Sequence, residues 1–240
     1  MKVCIIISNY NHSKYLEQSI ASALNQTYEN IEVFVVDDGS KDQEEVRAIV
    51  KKFQEKDDRV KYLGLRENTG KWNAMNQAIS QTSCEIITTL DADDICPANR
   101  IERQLAVFSV IPNTLHVLTG FYHCWSDEEV VQHSLRLESG PLKVVPHENV
   151  REMVLTGART PGINHYFTGN IETAGASAMF HRQVWELGIR FNPPRCGLRT
   201  LLSEDSDFNF RLTALLGRTA ILDEKLYCYR RNTSTNEETL

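Results

Sequence analysis

The sequence predicts an α/β protein whose mostly parallel sheet is flanked by helices, with a smaller mixed part, and three observations carry that expectation. Apolar or β-branched runs recur at Val3–Ile7, Ile31–Val36 and Ile86–Leu90, the pattern of strands buried on both faces. Segments with apolar residues at helical spacing separate them, and such alternation makes a parallel sheet with right-handed crossovers. Polar residues then follow directly on the strands, as Ser8-Asn9, Asp37-Asp38 and Asp91-Ala92-Asp93-Asp94. That is the end at which open α/β sheets bind ligands.

The elements follow in order. Val3–Ile7 is the first strand, closed by Ser8-Asn9-Tyr10-Asn11, and Ser13 is the expected cap of a helix striped by Leu16, Ile20, Ala23 and Leu24. Ile31–Val36 is the second strand. Ser40 and Gln43 have the spacing of a capping box for a helix lined by Val46, Ile49, Val50 and Phe53. Val60–Leu65 is a short third strand, and after Asn68-Thr69-Gly70 a third helix carries Met75 and Ile79. Ile86–Leu90 delivers the acids, and Pro97 suits the first turn of a helix bearing Ile101, Leu105 and Phe108.

Beyond residue 110 the rhythm changes. Leu115–Phe121 reads as a strand, and Val130–Leu137 and Leu142–Val145 read as a hairpin around Glu138-Ser139-Gly140-Pro141. Helical character returns near 148–155, and 156–170, rich in Gly, Pro, Thr and Asn, reads as a loop bordering a cleft. The small residues of Ala174–Phe180 permit close approach of either a ligand or another backbone. Ser203 opens a helix with Phe208, Leu212, Leu215 and Leu216 on one face, and Lys225–Tyr229 is the last strand.

Composition narrows the function. The 240 residues favour one α/β unit over two small ones. A net charge of −6 argues against broad nucleic-acid or anionic-membrane binding. No apolar stretch approaches the ~18–20 residues that span a bilayer, and Met1–Ser8 enters a strand without a signal-peptide pattern, so a cytoplasmic location is expected. Six scattered cysteines signal neither a zinc site nor a disulfide framework and read as reduced, mostly buried thiols. The seven histidines (His12, His116, His123, His133, His147, His165 and His181) show no metal-ligand spacing and read as structural or exposed. With no Gly-x-Gly-x-x-Gly and no Gly-rich loop ending in Gly-Lys-Ser or Gly-Lys-Thr, dinucleotide oxidoreductases and ordinary ATPases are disfavoured.

Three carboxylates within four residues, Asp91, Asp93 and Asp94, repel one another. They call for a compensating cation, and hard oxygen ligands suit magnesium or manganese, although acids in such loops also serve as turn formers and helix caps. Ser203-Glu204-Asp205-Ser206-Asp207 reads either as a capped helix with acids complementing its dipole or as a site with Asp205 as a general base, kept ionised by the helix N-terminus. Arg230 and Arg231 either clamp a diphosphate or belong to an exposed basic tail.

The order of motifs resembles the family-two glycosyltransferases of the GT-A fold. Ile5–Asn11, Ser19–Gln26, Val35–Ser40, Asn68-Thr69-Gly70, Leu90–Asp94 and Ser203-Glu204-Asp205 carry the likeness. It is close over about residues 2–110, looser over 172–232, and matches nothing in 120–170. The resemblance implies inverting transfer of a sugar from a nucleoside-diphosphate sugar, a UDP-sugar by expectation, to a hydroxyl of a glycan or glycolipid acceptor in bacterial polysaccharide synthesis. Residues 1–110 would form the nucleotide-sugar half and 111–240 the acceptor half of a single domain. Ser8 and Asp38 would contact the nucleoside, Asp91 the ribose or the metal shell, and Asp93 the divalent ion (manganese or magnesium). Asn9, Lys71, Arg230 and Arg231 complete the expected donor site, Asp205 matches the family's base, and Gly175–Phe180 matches the acceptor-side segment. Asn232 stands where many relatives carry a His after Tyr-Arg-x, which removes the residue expected as a third protein ligand and predicts weaker dependence on the ion. Peripheral membrane contact and a homodimer are further expectations. The alternatives are a nucleotidyltransferase, whose early Gly-rich triphosphate segment is missing here, and a nucleotide-sugar-binding module without catalysis.

Overall fold

The computed structural model describes residues 1–147, 150, 165–168, 171–193 and 203–231. Its parallel half is built from β1 (Val3–Asn9), α1 (Ser13–Leu24), β2 (Ile31–Asp37), α2 (Gln43–Gln54), β3 (Val60–Gly64), α3 (Lys71–Gln81), β4 (Ile86–Asp91) and α4 (Arg100–Val110). Then come β5 (His116–Cys124), α5 (Asp127–Ser134), β6 (Val144–Val145), β7 (His165–Thr168), β8 (Ile171–Ala174), a 3-10 turn at Gly175–Ser177 and β9 (Met179–His181). The short α6 (Gln183–Glu186), α7 (Glu204–Leu216) and β10 (Thr219–Arg230) complete the described elements.

One sheet runs in the order β3-β2-β1-β4-β9-β5-β10-β6, with β8 paired to β5 and β7 to β8. β3, β2, β1 and β4 are mutually parallel, as are β5 and β10, while β9 is antiparallel to both β4 and β5. The continuous apolar strands are buried on both faces. Leu16, Ile20, Val46 and Val50 pack on one face of the first half, and Met75, Ile79 and Phe208 on the other. The expected stripes of α1 to α4 therefore point inward, and deleting a side chain such as Met75 would cost about 2–5 kcal/mol. The fully buried Arg100 ties α4 to β4, donating to Thr88 Oγ1 at 2.9 Å and Thr89 O at 3.0 Å. No helix among the described residues is long and apolar enough to cross a membrane.

Several local expectations are corrected. Val130–Leu137 is not a strand of a hairpin: α5 occupies most of it, with Ser126 as N-cap accepting from Glu129 N, and β6 pairs with β10. Residues 165–168 are strand rather than loop, while the remainder of 156–164, residues 169–170 and most of 148–155 lie outside the described residues. Ser40 and Gln43 do not form a capping box, because both side chains turn to Asp37, and α2 starts only at Gln43. Ser13 is the first residue of α1 rather than its cap, and its N–H is taken by Asp42 Oδ2 at 3.1 Å. Pro97 precedes α4, whose N-cap is Asn99. β10 begins six residues before the expected Lys225, running on through bulges around Asp223-Glu224, and Leu215 of α7 faces solvent. Cys4, Cys84, Cys96, Cys124 and Cys228 are free and buried, and Cys196 lies outside the described residues.

Candidate active site

The carboxyl ends of β1, β2 and β4 open on a cleft of ≈ 280 Å³ whose lining includes Ser8, Asn9, Tyr10, His12, Asp38, Gly70, Lys71, Asp91, Asp93 and Tyr229. The parallel register sets Ser8 beside Asp91, and Ser8 Oγ donates to Asp91 Oδ1 at 3.2 Å. Asp38 follows β2 on a turn whose Gly39 has φ +67°. A Cβ there would run into the backbone of Glu67 and Asn68, so glycine supplies both the conformation and the close approach. That approach lets Asp38 Oδ1 accept from Thr69 N at 2.8 Å and Thr69 Oγ1 at 3.0 Å.

The central contact joins residues far apart in sequence. Lys71 Nζ lies 2.6 Å from Asp91 Oδ1 and 2.8 Å from Asp205 Oδ2. Asp205 is in the first turn of α7, after the N-cap Ser203, whose Oγ accepts from Ser206 N at 3.3 Å. Gly175 makes room for that turn: a Cβ on it would sit 3.0 Å from Asp205 Cβ, and its carbonyl accepts from Asn209 Nδ2 at 3.0 Å. At Gly175 the small residues thus serve backbone approach. Burial works against the charge on Lys71, but Asp205 and Asp91 outweigh it and hold the ammonium well above its usual range. Burial pushes the Asp205 carboxyl up from its ordinary value, Lys71 opposes this, and Asp91 adds to it.

The acidic loop divides its carboxylates. Asp93 meets His12 Nδ1 at 3.4 Å, and this contact, against burial, raises the imidazole pKa. Asp94 turns away from the cleft, where Tyr227 Oη donates to its Oδ2 and Arg230 N to its Oδ1, each at 2.7 Å. Burial, then Asp93 and Asp91, push the Asp94 carboxyl well above the carboxylate range. The structure thus gathers Ser8, Asp38, Lys71, Asp91, Asp93 and Asp205. Asn9 lines the cleft, but its amide donates to Asp37 Oδ1 at 2.6 Å. Arg230 and Arg231 fall outside it. The buried Arg230 guanidinium is committed to Asp93 O at 2.8 Å, Gln18 Oε1 at 2.6 Å and Asp127, while Arg231 donates to His123 Nδ1 at 2.9 Å. Asn232 lies outside the described residues.

The donor set suits a hard ion: Asp91 and Asp93 offer oxygens beside a cleft, and magnesium-like ions are held by one or two carboxylates with substrate phosphates and water. Sequence reasoning missed His12, for a lone histidine after Asn11 carries no signal, and Tyr227, read only as part of a strand.

Comparison with known proteins places this architecture among glycosyltransferases. The chain superposes on S. aureus TarS 1-349 in complex with UDP-GlcNAc with a TM-score of 0.68 at 20% identity, over 100% of this chain and 61% of that one. It also superposes on mannosyltransferase PcManGT from Pyrobaculum calidifontis, in complex with GDP-Man and Mn2+, with a TM-score of 0.63 at 20% identity, over 95% and 56%. The fold is thus that of GT-A glycosyltransferases. The model of the family described as "Glycosyl transferase family 2" matches residues 4–187, and the chain belongs to that family. An uncharacterized glycosyltransferase of Nostoc sp. is 29% identical over 241 residues, 98% of this chain and 66% of the relative. One from Rickettsia conorii is 38% identical over 120 residues, 50% of this chain and 19% of the relative. The chain therefore spans two thirds or less of the length of these relatives.

Proposed function

We propose that the chain is a single-domain inverting glycosyltransferase that moves a sugar from a nucleoside-diphosphate sugar to a hydroxyl acceptor, with residues 1–110 holding the donor and 111–240 the acceptor. The observation that carries this reading is the Lys71 ammonium bridging Asp91 and Asp205, which brings a candidate base to the donor-side carboxylates. TarS with UDP-GlcNAc and PcManGT with GDP-Man are the structural neighbours that support a nucleotide-sugar donor, and a UDP-sugar is the favoured one. The acceptor is a glycan or glycolipid in bacterial polysaccharide synthesis, reached from the cytoplasmic side.

Asp38 Oδ1 is engaged by Thr69, leaving Oδ2 to accept from a donor base, and Ser8 and Asp91 would meet the ribose. Asp91 and Asp93 would hold a manganese or magnesium ion, which when bound neutralises charge developing on the leaving diphosphate. Lys71 adds a fixed positive charge on the same side. Asp205 takes the acceptor hydroxyl's proton on a carboxylate oxygen as that hydroxyl attacks the anomeric carbon from the face opposite the diphosphate. Its raised pKa makes it a stronger base than an exposed aspartate, and Lys71 keeps it ionised.

Thermal unfolding with UDP-, GDP-, dTDP- and CMP-sugars, each with and without manganese, tests the donor reading, because a ligand bound only to the folded state raises the midpoint. A manganese-dependent rise with one nucleotide is expected. No rise with any donor would sink it.

A further inference from the structure

At the opposite end of the sheet, Cys4, Glu32 and Cys84 converge. The parallel register pairs Cys4 of β1 with Glu32 of β2, so their side chains share a face, and Cys84 arrives two residues before β4. One ligand atom from each, two Sγ and a carboxylate oxygen, lie within 4.8 Å of one another. In a tetrahedral site with metal–sulfur bonds of about 2.3 Å and metal–oxygen bonds of about 2.1 Å, ligand atoms sit about 3.6–3.8 Å apart, so a small contraction would close the triad. Cys4 and Ser8 are four positions apart along β1, roughly 13 Å of strand, which makes this locus distinct from the cleft.

Its surroundings are those of a built site. Both thiols are buried, and the Glu32 carboxylate is held at both oxygens, by Thr82 Oγ1 at 2.8 Å on Oε1 and by Lys2 Nζ at 3.2 Å on Oε2. Cys84 Sγ lies 3.9 Å from Glu32 Oε1, and as a thiolate it would be a strong ligand for a soft or borderline ion. Metal binding to the two thiols would release their protons. Two thiolates and a carboxylate around a divalent ion leave one net negative charge, which Lys2 neutralises.

We propose that Cys4, Glu32 and Cys84 form a binding site for a single thiolate-preferring divalent ion of the zinc class. Its sulfur-rich ligand set selects a different metal from the carboxylate pair of the cleft.

Reduced, chelator-stripped protein titrated with cobalt or cadmium should show thiolate-to-metal charge-transfer absorption that reports uptake of one equivalent through sulfur. Cys84→Ser and Glu32→Gln should each weaken that uptake about tenfold or more, and Asp93→Asn should leave the absorption unchanged. These two variants avoid the strand residue Cys4, and unfolding without metal confirms that they fold. Zinc should raise the unfolding midpoint of the parent protein but not of Cys84→Ser. Absence of the band overturns the proposal. So does a band that survives Cys84→Ser, which would assign it to another pair such as Cys124 and Cys228, or a Cys4–Cys84 disulfide that persists in protein purified with zinc.

Discussion

Asp93 and Asp94 are neighbours in sequence and opposite in circumstance. Asp93 meets His12 at the edge of the cleft, whereas Asp94 is buried against β10, receiving Tyr227 and the Arg230 backbone. The same contrast holds between the two faces of the whole loop. On the cleft side Asp91 and Asp93 line the cavity and meet Ser8, Lys71 and His12; on the β10 side the hydrogen bonds are closed and Arg230 is consumed in bracing. One acidic run therefore supplies both the carboxylates that line the cleft and the one that ties the loop to β10, so the two sides should fail differently when altered.

The largest effect is expected on the cleft side. Asp205→Asn should lower turnover ~10²-fold or more while donor binding and the unfolding midpoint persist, which steady-state kinetics and calorimetry would read; full activity would move the base to Glu204 or Asp207. Asp93→Asn should weaken manganese-dependent donor affinity by on the order of 2 kcal/mol or more, measured by titration with the nucleotide. Unchanged affinity would remove Asp93 from the ion's shell.

On the β10 side the prediction reverses. Tyr227→Phe deletes the donor to Asp94 and the acceptor for Asp91 N, and should cost about 1–2 kcal/mol of stability in denaturant unfolding. A kinetic defect without a stability loss would erase the distinction between the two sides. The smallest effect lies in the core. His116 is buried, its Nδ1 against Thr219 Oγ1 at 3.0 Å, and burial draws its imidazole from the usual 6.5 down to about 3. Between those values the unfolded chain binds the extra proton, so this contribution to stability is lost as pH falls. From about pH 7.5 to about pH 5.5 the loss should be roughly 1 kcal/mol, and His116→Gln should remove that slope whatever its own cost.

Legibility in the sequence followed the same divide. Strands buried on both faces announce themselves as apolar runs, so β1, β2 and β4 and the polar rim at their ends could be read directly. Helix α5 could not be read from its apolar residues, since Val130, Val131, Leu135 and Leu137 mimic a strand. The signal was the Ser126-x-x-Glu129 spacing just before them, a helix start. The meeting of Lys71 with Asp205 spans 134 positions, and no local pattern encodes such a contact. Nor did the Arg230-Arg231 pair reveal that Arg230 would be spent within the protein, because composition does not distinguish a guanidinium aimed at phosphate from one aimed at carbonyls.

Gly175 sets the position of Asp205 by what it lacks. The helix that carries the carboxylate rests on a glycine whose missing methyl group would stand 3.0 Å from Asp205 Cβ, so the reach of that carboxylate is gauged by a single absent carbon. A change there would alter distance without touching any charge, separating where the carboxylate stands from how strong it is.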